Sequence, residues 1–345
     1  MRHTFLLISI FALLLVSCTR RETPKPTAFH NDVMLKTTPV KDQGQSELCW
    51  DYAMLATIET ERLQLGDSVN LSPDYLARLW LQDQARTYYL TRGHEKVSLR
   101  GMMPMTLHLM ERYGIQPFDS YHPFGAVSYT ALTRASMQVA RASTSLRRLD
   151  DRLGDFLDKQ VGYLPPTLFM LGMGYTPQQF AQSIYLPGDY VALTSFTHHP
   201  FGRPFVLESP DNRMLDSFYN VPIDQLMRTI ISALRHGHPV CWEGDISEPG
   251  FDFSRGIAML PDEDHTPTQQ ERQRAFEQFQ TTDDHCMELC GLAHDSHGHL
   301  FFIAKNSWST HNPFAGFMYL SYNYVRMKTI GVMVKRDLKG LSRVS

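Results

Sequence analysis

The chain has 345 residues, 43% of them hydrophobic and 20% charged, an ordinary globular balance that excludes a disordered, collagen-like or polytopic membrane chain. At roughly 150 residues per domain, this length makes about two domains or one large two-lobed domain with surface enough for a buried core. A net charge of −3 and the lack of any basic block give no footprint for nucleic acid, which is set aside as a partner.

The first element is the apolar, uncharged run 5–16, preceded by Arg2 and followed by Arg20 and Arg21. As a helix it falls well short of the roughly 30 Å hydrocarbon core, so it reads as the core of a signal peptide. Its end, Leu15-Val16-Ser17-Cys18, resembles the bacterial lipobox. That resemblance implies a signal peptide over 1–17 and a lipid on Cys18; a plain secretory signal and an uncleaved anchor are the other readings. Residues 18–30 are then the lipidated cysteine and a polar, Pro-containing tether, and 31–345 the folded part. The expected location is the bacterial cell envelope, on the periplasmic or surface face of the outer membrane, held through Cys18.

With Cys18 lipidated, Cys49, Cys241, Cys286 and Cys290 remain, spaced neither as a disulfide framework nor as a CxxC zinc pattern. Residues 49–65 carry helical spacing closed by Gly66 at the C′ position, which puts Cys49 at a helix N-terminus. Ser72 as cap and Pro73 just inside it open a helix through about Ala85. Residues 112–215 read as a largely helical insertion with Pro- and Gly-rich connections, clearest over 132–157. Residues 222–236 place Ile223, Leu226, Ile230 and Leu234 at helical spacing. Strands are expected over 239–242, 287–293, 300–305, 317–320 and 330–334, the second and third joined by a turn at Asp295-Ser296-His297-Gly298. Helices early and strands late predict an α+β fold with two unlike lobes.

A nucleophilic cysteine needs a lowered pKa, and a helix N-terminus with a nearby imidazolium supplies it. Six residues before Cys49, Gln43 offers an amide that can donate to a developing oxyanion together with the Cys49 N–H. His285 begins one expected strand and Asn306 ends the next, so an antiparallel pair brings Asn306 to orient the imidazole.

These residues resemble the papain-like cysteine peptidases. The matching blocks are Pro39-Val40-Lys41-Asp42-Gln43-Gly44 through Cys49-Trp50, then Asp284-His285, then Lys305-Asn306-Ser307-Trp308, in that family's Cys, His, Asn order. The resemblance implies a helical lobe and a β-barrel-like lobe with the cleft between them. It makes Cys49 the nucleophile, His285 the acid/base, Asn306 the orienter and Gln43 the oxyanion donor, with Trp308 and Trp50 in support. It implies no metal and no organic cofactor. Ser46 stands where the common version has a cysteine, and the gap from Cys49 to His285 exceeds the roughly 130 to 150 residues of the short members. Both departures point to the bleomycin hydrolase or aminopeptidase C branch, whose own C-terminus enters the cleft and makes an aminopeptidase. Here the few residues after 334 would have to do so. The expected function is thiol-dependent hydrolysis of short peptides. An endopeptidase with an open cleft, an acyl transferase, and an inactive peptide-binding scaffold, suggested by Glu47 beside the nucleophile, are the alternatives. The branch implies a homo-oligomer, and the tether a smaller one than its hexamers.

Other residues carry milder expectations. Cys286 and Cys290, four apart, should share a strand face and pack in the core, with a bridge from Cys241 to one of them open. His294, His297 and His299, and the pair His198-His199, read as solvated loops. Trp242 and Phe251 should pack the β lobe, with Glu243 and Asp245 candidates for a subsite. Asp283-Asp284 and Asp150-Asp151 read as surface charge.

Overall fold

The computed structural model describes residues 28–123, 125, 127–170 and 172–336. In chain order the elements are β1 (Phe29–Met34), α1 (Cys49–Gln64), α2 (Pro73–Leu90), α3 (Met103–Tyr113), α4 (Tyr129–Ala142), α5 (Leu146–Val161), β2 (Leu168–Met170), β3 (Met173–Tyr175) and α6 (Pro177–Ile184). There follow β4 (Tyr190–Thr194), β5 (Pro204–Val206), β6 (Ser217–Asn220), α7 (Ile223–Arg235), β7 (Val240–Gly244), β8 (Phe251–Asp252), β9 (Ile257–Ala258), α8 (Gln269–Glu277), β10 (His285–Asp295), β11 (Leu300–Lys305), β12 (Phe317–Ser321), α9 (Tyr322–Lys328) and β13 (Thr329–Lys335).

The helices α1 to α6 build one lobe, with α2 packed on α4 and α5, and α1 on α3. The other lobe is a sheet in the order β5-β6-β4-β13-β7-β10-β11-β12-β9-β8, with β1 added to β10. Each lobe has its own apolar cluster: Trp50, Met54, Leu76, Leu81 and Met103 anchor the helical one, and Leu226, Ile230, Trp242, Phe302 and Val332 the other. Helix α1 is buried continuously from Trp50 to Glu61 because it lies between the lobes, against α3 on one side and β10 and β7 on the other.

Helix α1 stops at Gln64 with Gly66 at φ +91°, as the sequence predicts. Ser72 Oγ accepts from the Tyr75 N–H, and Pro73 opens α2. That helix continues past Ala85 to Leu90, because Tyr88 prolongs its buried stripe. The helical stretch 132–157 is carried by two helices: the chain leaves α4 at Ser143, and Ser145 Oγ caps α5 by accepting from Arg148 N. Phe29 and His30, assigned to the tether from sequence, belong to β1. Phe29 stacks on Tyr319 at 3.9 Å, and its backbone pairs with Asp295.

The cysteines of β10 do not share a face. The register with β11 shifts between Leu289 and Gly291, and Cys290 falls in this bulge. Cys286 therefore packs with the helical lobe and Cys290 in the β-lobe core. Cys241 lies opposite Glu288, not opposite Cys286, which pairs with Glu243, and all four described cysteines are free. Among the described residues no helix is long and apolar enough to cross a membrane. The apolar run 5–16, Cys18, most of the tether and residues 337–345 lie outside the described residues.

Candidate active site

Cys49 is the first residue of α1, behind a loop that turns at Gly44 (φ +57°). No side chain caps this helix end, so its leading N–H groups face the cleft with the positive end of the helix dipole. The loop is tied to the opposite lobe: Gln43 N–H donates to Ser307 O at 2.8 Å, and Asp42 forms a bridge with Trp308. Gln43 itself is held at both ends of its amide, Oε1 accepting from Ser307 Oγ at 2.6 Å and Nε2 donating to Ser46 O at 2.8 Å. One of the two amide hydrogens is left for a ligand oxygen.

From the β lobe, β10 brings His285 and β11 ends just before Asn306. His285 Nε2 and Asn306 Oδ1 are 2.7 Å apart and buried, and Asn306 Oδ1 also accepts from Ser307 N–H at 2.8 Å, which fixes the amide orientation. His285 Nε2 is then the donor, which turns the other ring nitrogen toward Cys49. Trp308 covers the imidazole with ring centroids 4.6 Å apart and is itself met edge-on by Phe253 and Phe251. Trp50 is fully buried beneath the site and donates to Leu99 O at 2.9 Å. The structure thus brings Cys49, His285, Asn306, Gln43 and Trp308 together.

The Cys49 thiol is held well below its ordinary pKa. The largest cause is a hydrogen bond from the Cys286 thiol, followed by the hydrogen bond and positive charge of His285, against burial, which acts upward. Burial and the contact with Cys49 push Cys286 well up, and burial does the same to Cys241 and Cys290. Among the four described cysteines, Cys49 alone has the electrostatics of a nucleophile.

The cleft has a volume of about 630 Å³ and is lined by several carboxylates, among them Glu243, one of the two subsite candidates of the sequence. Asp283, expected as surface charge, lies within it with its carboxyl lifted to about 6, chiefly by burial, and accepts from Ser209 Oγ at 2.5 Å. Glu243 also lines it, fully buried and pushed well up by burial and by the charge of Asp283. Asp245 is turned away, accepting from Ser247 N–H at 2.8 Å, and does not line this cleft. Arg100 and Asp211, which carry no motif, close another wall as an ion pair of 2.7 Å. Glu47 is exposed at the rim of the cleft, and His285 Nε2 lies against Asn306 Oδ1.

The histidine clusters stand apart from this cleft. His294 pairs with Asp32, and His299 Nδ1 lies 3.1 Å from Asp295 Oδ2. His198, His199 and Glu208 bring three potential ligand atoms within 4.8 Å. Gln273, however, accepts from Thr197 N–H and so donates through Nε2 to His198 Nδ1 at 3.0 Å. That leaves His198 Nε2 as a donor to Glu208, which makes the cluster a hydrogen-bonded one and not a lone-pair donor set.

No protein-family profile matches the chain. It is 23% identical over 364 residues to aminopeptidase G of Lactobacillus delbrueckii subsp. lactis, covering 88% of this chain and 82% of that protein. It is 32% identical to papaya proteinase 4 of Carica papaya over 77 residues, 22% of this chain and 21% of that one. Among solved structures it superposes on PepW of Lactobacillus rhamnosis with a TM-score of 0.68 and 17% identity, over 91% of this chain and 83% of that one. The fold is the papain-like one, with α1 and β10 facing each other across the cleft.

Proposed function

We propose that the chain is a thiol-dependent peptidase, aminopeptidase-like on short peptides. The observation that carries this reading is the ordered line Cys49, His285, Asn306: a depressed thiol at a helix N-terminus, facing an imidazole whose far nitrogen is 2.7 Å from an amide oxygen. Cys49 thiolate attacks the scissile carbonyl, and the tetrahedral oxyanion is met by the Cys49 N–H and the remaining Gln43 amide hydrogen. His285 protonates the leaving amine, then takes a proton from the water that hydrolyses the thioester, and Asn306 keeps its ring in plane. This chemistry calls for no cofactor. The name of the aminopeptidase G relative supports the exopeptidase mode. In the same reading Cys18 carries a lipid that holds the enzyme at the bacterial envelope.

The test is mass spectrometry of an unmodified peptide pool incubated with residues 19–345 under reducing conditions, beside Cys49→Ala. Stepwise loss of N-terminal residues is expected, with turnover reduced about a thousandfold or more in the variant. Internal cuts would replace the aminopeptidase with an endopeptidase. Absence of any Cys49-dependent product would leave a binding scaffold.

A further inference from the structure

Peptide hydrolysis as described needs no carboxylate, yet Asp42, Glu47, Asp211, Glu243, Asp283 and Asp284 line the cleft, and Arg100 in its wall is already paired with Asp211. Glu243 is the most demanding of them. It sits in the middle of the sheet, opposite Cys286 on β10 and Gly331 on β13, with no exposed surface. Neither of its carboxylate oxygens makes a full hydrogen bond to an N–H or O–H group of the protein. A buried carboxyl without a donor carries a desolvation cost that a fold normally offsets with a lysine, an arginine or backbone N–H groups. Here the neighbour is another acid, Asp283, within hydrogen-bond reach, with only a long contact from the Met103 N–H on the other side. Both carboxyls lie close enough to Cys49 to feel its charge.

We propose that Glu243 and Asp283 form a cation subsite of the cleft, taking one ammonium or guanidinium group of a peptide beside the bond presented to Cys49. The proposal deepens the peptidase reading and rests on it for the nature of the ligand. An empty subsite holds one shared proton between two acids. A bound cation meets Asp283, the more exposed of the two, and the shared proton leaves to solvent, so that Glu243 behind it becomes a second negative charge facing the cation while Ser209 Oγ keeps Asp283 in place. The positive group has two sources in a peptide, the α-ammonium of its N-terminus and a Lys or Arg side chain. The first makes the subsite the device that measures off the N-terminus; the second makes it a side-chain pocket.

Calorimetric binding to Cys49→Ala separates them, using short peptides of one sequence that carry lysine or norleucine and a free or acetylated N-terminus. The acetylated norleucine peptide should bind at least about tenfold more weakly than a singly charged one, and the arm that restores affinity names the source. Adding Glu243→Gln and Asp283→Asn should bring the charged peptides to the level of the neutral one. Asp283→Asn alone, at a half-buried position, serves if the triple variant does not fold. Equal affinity for all the peptides, or a preference that survives the amide substitutions, overturns the proposal. Cleavage of the same peptides by the unmodified chain reads the peptidase assignment separately. Cutting with no charge preference keeps the peptidase and ends the subsite. Charge-selective binding without cutting keeps the subsite and ends the peptidase.

Discussion

Cys49 draws its acidity from two adjacent residues of β10 as well as from the start of its own helix. His285 supplies charge and a hydrogen bond, and Cys286 supplies a second hydrogen bond that is the larger influence. Cys286→Ala removes one donor from the thiolate and leaves His285, Asn306 and Gln43 in place. The rate of Cys49 alkylation by iodoacetamide should then fall off at a higher pH than in the unmodified chain, because the thiol pKa rises toward its ordinary value. A profile that does not move would assign the depression to His285 and the helix. At this scale Cys49, Gln43, His285 and Asn306 each sit in a short block with its own signature, and the structure brings the four together. Glu243 is a subsite candidate in the sequence with no partner indicated for it, and Asp283, Asp211 and Arg100 carry no comparable signal. Their meeting depends on which strands pair and on an ion pair between positions far apart in the chain, and no local pattern encodes either.

A regular apolar stripe makes one helix legible, and polar contacts hide another. Helix α7, with Ile223, Leu226, Ile230 and Leu234 buried, falls where its periodicity puts it. Helix α8 buries Arg272 and Gln273 instead: Arg272 donates to Ser195 O and Met327 O, and Gln269 accepts from the Ile223 N–H. Its one local signal is the capping box of Thr268 and Glu271, repeated by Thr176 and Gln179 at α6. Thr268→Ala should destabilise the chain by about 1 kcal/mol, seen as a Tm lower by a few degrees with the Cys49 alkylation rate unchanged. An unshifted Tm would mean that the contacts of Arg272 hold the helix without its cap.

Across the whole molecule the lobes are joined under the cleft by a buried polar chain. Glu59 of α1 accepts from Lys41 at 2.7 Å, from the Leu71 N–H at 2.6 Å and from Thr38, and Lys305 donates to Thr38 at 2.8 Å and lies 3.7 Å from Glu288. Burial lifts the Glu288 carboxyl from 4.5 to about 7 against the pull of Lys305. Between those values the folded chain keeps a proton that the unfolded chain releases, so this group makes stability fall as pH rises through the window and adds no further change above it. Glu288→Gln removes that slope. Its advantage over the unmodified chain in urea unfolding should be near zero at the acid end of the window and on the order of 3 kcal/mol above it. A gap that does not vary with pH would show that Glu288 is ionised throughout. The two-lobed α+β plan was visible from sequence because helical and strand patterns segregate along the chain, whereas the place of each strand in the sheet was not. The last of them, β13, lies between β4 and β7. Until residues as far as Lys335 have left the ribosome, the β5-β6-β4 group has no backbone partner joining it to β7 and β10. The strand holding His285 has its own neighbours, β1, β7 and β11, once Lys305 has emerged, but β7 waits for β13 on its other side, so the sheet behind the site is completed only by the last strand of the described residues.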